Sequence, residues 1–330
     1  MKALRKIYSL IMALCALTVI GALCTNIAHA QHETYPNHNI TLVLPFAAGS
    51  GTDTTTRLIS KELGTALNVP MVIDNKAGAN GSIAASYVAR SAPDGYTLFV
   101  TTNTSHSANP YLLKNMTYDP VKDFTPIART GDLPFMLVIN PEIPAKSVAD
   151  LIALAKKEPG KYSYASGSSS AIVSGATFAR LAGVDLLHVP YKSSPPALTD
   201  VIAGRVSMMF VDVPTALPHV NAKALKSLAV TTKYRSALLP DLPTMDEAGV
   251  KGFDVTSWQG YFGPANMPKE IVTKLNAEIR KVVERPDIKK ELANRGMEAF
   301  SGTPEEFDAF VKDQLVVWKR LITDAGIEPQ

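Results

Sequence analysis

Short apolar runs rich in β-branched residues recur along the chain, and segments with helical spacing separate them. Runs of this kind, bounded by glycine, proline or polar turns, are typical of buried strands. The pattern predicts strands at residues 40–44, 71–73, 96–100, 134–139, 162–165, 206–211 and 225–230.

The helical segments carry recognisable starts and stops. Ser147 with Asp150 is typical of a capped helix N-terminus. Late in the chain an apolar stripe stops before Pro286, and Thr303-Pro304-Glu305-Glu306 forms a capping box for a last helix. Strands that alternate with helices predict parallel sheets covered by helices on both faces.

The N-terminal segment has the features of a secretory signal peptide. Basic residues at positions 2, 5 and 6 precede an uncharged, mostly apolar run over 7–23, and Ala28-His29-Ala30 supplies a small-x-small cleavage pattern. An uncleaved membrane anchor is the alternative, but a spanning helix needs about 20 apolar residues and this run is shorter. We therefore expect residues 1–30 to be removed after Ala30 and the mature protein to be periplasmic.

Charge and cysteine content change once this segment is removed. Three of the 33 basic residues lie in it, which leaves 30 against 30 acidic residues. A neutral protein has no long-range field that would collect nucleic acid or anionic lipid. Both cysteines, Cys15 and Cys24, also leave, so the mature chain has no disulfide or thiolate metal site. The remaining histidines lack metal-ligand spacing, and we predict no metal and no cofactor.

A glycine-bearing turn at Gly49-Ser50-Gly51-Thr52-Asp53 follows the first strand and opens a helix. It lacks the third glycine of a dinucleotide fingerprint and the Gly-Lys-Ser/Thr of a phosphate loop. Glycine lets a ligand approach the backbone, and a helix N-terminus offers unpaired N–H groups and a partial positive charge. The turn therefore predicts a carboxylate site that needs neither Lys nor Arg. A tight turn capped by Thr52 or Asp53 is the alternative.

A second strand-to-helix loop, Ser166-Gly167-Ser168-Ser169-Ser170, carries a row of hydroxyls. A nucleophilic serine is conceivable, but no G-x-S-x-G elbow surrounds it, and His106 and His188 are the candidate bases. A solvated serine-rich loop is the other alternative. Two such loops, one in each half of the chain, predict a cleft that clamps a small anion between domains.

Several segments resemble, in order, signatures of the Bug-type, or TctC-like, solute-binding proteins. Pro45-Phe46-Ala47-Ala48-Gly49-Ser50-Gly51-Thr52-Asp53 resembles the first signature, and the matches cover essentially the whole mature chain. The other matching segments are Asn75-Lys76-Ala77-Gly78-Ala79-Asn80-Gly81, Pro93-Asp94-Gly95-Tyr96-Thr97-Leu98, Tyr118-Asp119-Pro120-Val121-Lys122-Asp123-Phe124, His188-Val189-Pro190-Tyr191-Lys192, Ala197-Leu198-Thr199-Asp200 and Leu242-Pro243-Thr244-Met245-Asp246-Glu247-Ala248-Gly249.

The resemblance implies a two-lobed periplasmic-binding-protein fold of clamshell form. Each lobe is expected to be an α/β unit, a mixed, mainly parallel sheet with helices on both faces, and two crossing strands are expected to join the lobes. Lobe 1 is predicted at 31–132 and 256–330, and lobe 2 at 133–255. The crossing strands are predicted near residues 131–137 and 253–263.

The resemblance also implies that a small organic carboxylate binds between the lobes of a monomer and passes to membrane subunits of a tripartite tricarboxylate-type transporter. Departures from the family pattern, Ser50, Ile172 and Ser193-Ser194, fall on the ligand-reading loops and leave the far end of the ligand open. The residues implied to bind the ligand are Phe46, Ala48, Gly49, Ser50, Gly51, Thr52, Asp53, Thr102, Asn103, Ser166, Gly167, Ser168, Ser169, Ser170 and Asp212.

Two other functions stay open at the level of sequence. One is an exported hydrolase that uses Ser168, Ser169 or Ser170 as nucleophile. The other is a ligand-binding sensor that presents its closed form to a receptor kinase. A binding protein without catalysis is the function that we predict.

Overall fold

The computed structural model describes residues 35–330, so the predicted signal peptide, residues 1–30, lies outside the described residues. Residues 38–330 form one compact unit. Its strands are β1 (Ile40–Leu44), β2 (Met71–Asn75), β3 (Thr97–Thr102), β4 (Phe124–Ile139), β5 (Ser163–Ser166), β6 (Leu187–Pro190), β7 (Met208–Asp212), β8 (Lys226–Val230), β9 (Thr256–Pro264) and β10 (Glu298–Ala299).

Helices follow most of the strands. Short helical turns at Ala79–Gly81 and Thr104–Ala108 supplement them, the second with π-helical hydrogen bonding. The α-helices are α1 (Gly51–Leu67), α2 (Ser82–Ala89), α3 (Asn109–Leu112), α4 (Val148–Lys157), α5 (Ser169–Ala182), α6 (Ser194–Ile202), α7 (Val213–Asn221), α8 (Lys269–Glu284), α9 (Pro286–Asn294) and α10 (Pro304–Asp324). Among the described residues no helix is both long and apolar enough to span a membrane.

The sheet is parallel at its two ends and antiparallel in its centre. Its strand order is β2-β1-β3-β9-β4-β7-β5-β6, and β8 and β10 also pair with β4. β1 runs parallel to β2 and β3, and β5 runs parallel to β6 and β7, as the alternation of strands and helices predicts. The long strands β4 and β9 pair antiparallel along the whole of β9 and link the two parallel parts.

Buried apolar side chains form separate clusters along the sheet. One cluster packs Trp258 and Phe262 of β9 against Phe307 of α10. Another packs residues from β4 to β8, and α10 adds Trp318 to it. A mixed sheet with helices and separate clusters of buried side chains is the predicted two-lobed α/β architecture. The lobe boundaries at 132–133 and 255–256 stay a prediction.

Capping decides where several helices begin. The Ser147 side chain accepts the backbone N–H of Asp150, which confirms the predicted start of α4. Thr303 and Glu306 form the predicted reciprocal box at α10.

β4 is much longer than the predicted strand at 134–139, because its first part pairs with β9 rather than with a neighbour close in sequence.

Candidate functional site

Four helix N-termini converge on one small cavity. Ser50 and Thr52 bring the start of α1, and Ser168, Ser194 and Asp212 bring the starts of α5, α6 and α7. The cavity has a volume of about 20 Å³, room for about one water molecule. Its other lining residues are Phe46, Thr102, Leu133, Phe135 and Ser257. Helix N-termini and hydroxyls make this an environment that favours an anion.

The first loop is held by its own side chains. Gly49 has φ +82°, a conformation that favours glycine, and its N–H donates to Oδ2 of Asp53 at 2.9 Å. The Ser50 side chain accepts the N–H of Asp53 at 3.3 Å, so Ser50 is the N-cap of α1. The alternative of a cap at Thr52 or Asp53 is wrong, because those residues are already inside the helix.

Asp53 does not line the small cavity. Its carboxylate accepts hydrogen bonds from Arg57 Nε at 2.9 Å and from Asn75 Nδ2 at 3.1 Å. Burial alone would raise the pKa of Asp53, but the bonds from Arg57, Gly49 and Asn75 outweigh it and hold the pKa below its usual range. The same Asn75 amide donates to the carbonyl of Phe46 at 2.9 Å. Asp53 therefore positions the loop.

In the second loop the Ser168 side chain caps α5 by accepting the N–H of Ala171 at 3.4 Å. The hydroxyls of Ser169 and Ser170 form hydrogen bonds with residues that follow β3. Asn103 Nδ2 donates to Ser169 Oγ at 3.2 Å and to Ser170 Oγ at 3.1 Å, and Ser169 Oγ donates to Thr104 Oγ1 at 2.9 Å. These bonds join the end of β3 to the start of α5.

A further contact between the loops involves backbone. The N–H of Ala47 donates to Ser193 Oγ at 3.1 Å. Gly167 packs so closely on the same segment that a methyl carbon there would lie 2.3 Å from the carbonyl carbon of Ser193 and the nitrogen of Ser194. The 193–194 segment thus touches both predicted loops.

Asp212 is the one acidic side chain that lines the small cavity. It caps α7, where Oδ1 accepts the N–H of Thr215 at 2.9 Å and the Thr215 hydroxyl at 2.5 Å. The backbone N–H of Gly51 also lies near this carboxylate and lowers its pKa. Burial raises the pKa of Asp212, against the lowering effect of those bonds. The side chain thereby connects the start of α7 to the start of α1.

Replacing Gly51 with alanine is expected to disturb this connection. A methyl carbon there would lie 2.0 Å from Oδ1 of Asp212, so the carboxylate or the loop must move, at a cost of about 1–3 kcal/mol. Urea unfolding of Gly51→Ala should show that loss. Asp212→Ala in the same chain removes the obstacle, so the two changes together should cost less than their sum. Additive losses would mean that the collision is absent.

A second, larger cavity adjoins the first at Phe46 and Ser168, which line both. Its volume is about 240 Å³. One polar pair lies in its wall, where Ser166 Oγ and His188 Nε2 are 2.7 Å apart. The His188 ring stacks on Tyr164, with ring centroids 4.7 Å apart, and burial lowers the pKa of His188.

The structure brings most of the predicted site residues together, but in different roles. Those that line the small cavity are Phe46, Ser50, Thr52, Thr102, Ser168 and Asp212. Ser166 and Gly167 line the larger cavity, and Ala48 and Gly49 are exposed at the surface. Those that support the loops or cross-link them are Gly51, Asp53, Asn103, Ser169 and Ser170.

Sequence reasoning did not assign a binding role to four residues of the small cavity, namely Leu133, Phe135, Ser194 and Ser257, although it placed Ser194 on a ligand-reading loop. A signal for Ser194 was present, because it opens a helix after a strand, as the two predicted loops do. Leu133, Phe135 and Ser257 lie on β4 and β9, and their place at the cavity depends on the pairing of those strands.

Within residues 35–330 no group of three or more His, Cys, Asp or Glu side chains could hold a metal ion.

Comparison with known proteins gives the family. The profile described as "Tripartite tricarboxylate transporter family receptor" matches residues 55–327. The chain is 30% identical over 302 residues to protein BugT of Bordetella pertussis, which covers 91% of this chain and 93% of BugT.

Solved structures agree in fold. An R. palustris protein with adipate superposes with a TM-score of 0.88 at 36% identity, covering 90% of this chain and 100% of that one. MatC from Rhodopseudomonas palustris with bound malate gives a TM-score of 0.82 at 32% identity, covering 87% and 100%. The chain therefore belongs to the tripartite tricarboxylate transporter receptor family, the Bug-type or TctC-like solute-binding proteins.

Proposed function

We propose that this protein captures a small organic carboxylate where the four helix N-termini meet, and delivers it to membrane subunits of a tripartite tricarboxylate-type transporter. The observation that carries the proposal is the convergence of α1, α5, α6 and α7 on one hydroxyl-lined cavity. A carboxylate there would touch α1 of one half and α5 of the other. Such a ligand stabilises a closed arrangement more than an open one.

The relatives support the chemical class of the ligand. Two members of the same fold were solved with adipate and with malate, which are both carboxylates. Neither predicted loop contains Lys or Arg, so N–H and hydroxyl donors would carry the charge recognition. We also propose that the protein acts as a monomer in the periplasm after loss of residues 1–30.

A hydrolytic role has less support. Ser166 and His188 form the Ser–His pair of the site, whereas the hydroxyls of Ser169 and Ser170 bond Asn103 and Thr104. A catalytic serine needs a base that a third group orients, and within the described residues no carboxylate hydrogen-bonds His188. Native mass spectrometry of protein purified from its host should therefore release an intact carboxylate rather than hydrolysis products.

Delivery to a transporter is tested in cells. Deleting the gene should abolish uptake of the ligand identified by mass spectrometry, and the wild-type gene should restore it. Unchanged uptake, with loss of ligand-induced transcription instead, would favour the sensor.

Affinity is expected to be flat between about pH 6 and pH 8 and to fall in acid, because free carboxylic acids titrate near pH 4. Isothermal titration across this range would measure it. The primary amide of the same ligand has no charge at any of these pH values and should bind about tenfold more weakly or worse. Equal affinity for acid and amide would contradict recognition of a carboxylate.

A further inference from the structure

We infer that Asn80 binds a second hydrogen-bonding group of the ligand inside the 240 Å³ cavity and that Asn109 positions it. This rests on the proposed function and adds a pair of residues to that site. The first carboxylate would lie where the helix N-termini meet, and the rest of the ligand would extend past Phe46 and Ser168, which line both cavities. The ligand class is a carboxylate that carries a hydroxyl, a carbonyl or a second carboxyl group at its far end.

The helical turn Ala79–Gly81 brings Asn80 to the wall of the larger cavity. Its backbone is left-handed at two consecutive residues that carry a Cβ, with φ +46° at Ala79 and φ +50° at Asn80. Asparagine tolerates this conformation better than most residues, but alanine adopts it at a cost in free energy. Such strain persists only where the surrounding structure enforces it, and it is concentrated at ligand sites. The turn therefore needs a partner that holds it.

Asn109, the first residue of α3, is that partner. Its Nδ2 donates to the carbonyl of Asn80 at 2.9 Å, and its Oδ1 accepts Nδ2 of Asn80 at 2.6 Å. Asn109 is fully buried, and its Nδ2 also donates to Tyr118 Oη at 2.9 Å, which in turn donates to the carbonyl of Ser105 at 2.9 Å. Because the carbonyl of Asn80 can only accept, these bonds fix the orientation of both side-chain amides.

This orientation leaves Oδ1 of Asn80 and one N–H of the same amide for a ligand. Within residues 35–330 neither of them has a hydrogen-bond partner. Asn80 is half-buried and lines the larger cavity, so a ligand in the cavity can reach it. An amide with one donor and one acceptor to spare can bond a hydroxyl, a carbonyl or a carboxyl group.

A polar pair from the other parallel part of the sheet lines the same cavity. Ser166, at the end of β5, and His188, on β6, hydrogen-bond each other at 2.7 Å. Burial lowers the pKa of His188, so the ring is neutral near pH 7, and when Nε2 carries the proton the Ser166 hydroxyl can donate to a ligand. Asn80 follows β2, at the opposite end of the strand order. A ligand group bonded to both sides would connect the two parallel parts of the sheet a second time.

The test compares acids that share one chain length, namely hexanoate, its ω-hydroxy derivative and adipate. Isothermal titration with the mature protein should show about tenfold tighter binding of at least one polar-ended acid than of hexanoate. Butyrate, its ω-hydroxy derivative and succinate repeat the comparison with a shorter body. Equal affinity within both sets, or tighter binding of the plain acids, would overturn the inference and leave the proposed function standing.

Asn80→Gly removes the side chain and places a residue there for which φ +50° is unstrained. The readout is the ratio of affinities for the polar-ended acid and the plain acid. Asn80→Gly should reduce this ratio by about three- to tenfold, because one hydrogen bond to the ligand is lost. A ratio equal to that of the wild type would overturn the inference, even if both acids bind more weakly.

Asn109→Ala removes both bonds to Asn80 and should reduce the same ratio. Asn276→Ala is the matched control, because Asn276 is also buried and its Nδ2 donates to the carbonyls of Ile127 at 2.7 Å and Gly302 at 2.9 Å. Both variants should melt at a lower temperature than the wild type, but only Asn109→Ala should change the ratio. A change in both variants, or in neither, would overturn the positioning role of Asn109.

Thermal melting establishes that each variant is folded before it is titrated. Where Asn109→Ala does not fold, Asn80→Gly decides, because it leaves the backbone bond between position 80 and Asn109 in place. Failure of all six acids, and of their longer homologues, to bind the folded wild-type protein would overturn the proposed function together with the inference.

Discussion

Acidification from about pH 7.5 to about pH 4 is expected to lower the free energy of unfolding by roughly 3 kcal/mol through His106 alone. This side chain is fully buried in the π-helical turn Thr104–Ala108. Its ring stacks on Phe262 at a centroid distance of 3.9 Å and meets Phe124 edge-on at 4.7 Å. Nδ1 lies 3.0 Å from Ser105 Oγ, and Nε2 has no hydrogen-bond partner among the described residues.

Burial lowers the pKa of His106 from 6.5 to about 3. The unfolded chain therefore takes up a proton near pH 6.5, and the folded chain resists it until about pH 3. The contribution to stability is complete above pH 6.5 and is lost as the pH falls toward 3. Carboxylates elsewhere in the protein also titrate in this range. The informative quantity is therefore the difference between a variant and the wild type in the free energy of unfolding lost on acidification.

Urea unfolding at both pH values measures the effect. His106→Leu removes the titrating ring and should lose about 3 kcal/mol less than the wild type on acidification, whatever its stability at neutral pH. His219→Leu, the same change at a half-buried position near the end of α7, serves as the control for replacing a histidine that is not fully buried. Identical acid losses in His106→Leu and wild type would mean that the ring is not held neutral.

Gly167→Ala is expected to reduce ligand affinity by at least about a hundredfold, roughly 3 kcal/mol. The added methyl carbon would lie 2.3 Å from backbone atoms of Ser193 and Ser194, which cannot swing aside as a side-chain end can. The start of α5 must then separate from the 193–194 segment. Because Gly167 lines the large cavity and Ser194 the small one, both walls of the site shift.

Gly183→Ala at the other end of α5 is the matched control. Gly183 has φ +62°, and a methyl carbon added there would meet open space, so alanine strains the helix end without touching the site. Both variants should melt at a lower temperature than the wild type, but Gly183→Ala should bind ligand as the wild type does. Wild-type affinity in Gly167→Ala would place the ligand away from these loops.

Local patterns predicted the elements whose causes are local. β1 coincides with the predicted strand at 40–44, and the Thr303 capping box begins α10 as expected. The apolar stripe predicts a helix that stops before Pro286, and α8 does stop there. Pro286 is also the first residue of α9, a helix that the sequence pattern does not predict. Proline ends one helix and also favours the first turn of another, so its presence alone does not tell whether a second helix follows.

Features of the site that depend on distant partners could not be predicted. The rotamers of Ser169 and Ser170 are set by Asn103, and nothing near these serines in sequence indicates that contact. The approach of Asp212 to Gly51 follows from the packing of α7 beside α1. The loops themselves were predictable, because glycines and hydroxyls at a strand-to-helix junction have a local physical meaning.

The position of β9 sets the order in which the sheet can be completed. β9 (Thr256–Pro264) lies between β3 and β4, so β3 gains its second neighbour after more than half of the chain has been made. The pairs of β4 with β7 and β8, and of β5 with β6 and β7, use residues 124–230 alone. During synthesis from the N-terminus, the half of the sheet that begins later can therefore close earlier. β3 keeps an open edge in the meantime, and that edge is where a nascent chain is most exposed to intermolecular strand pairing.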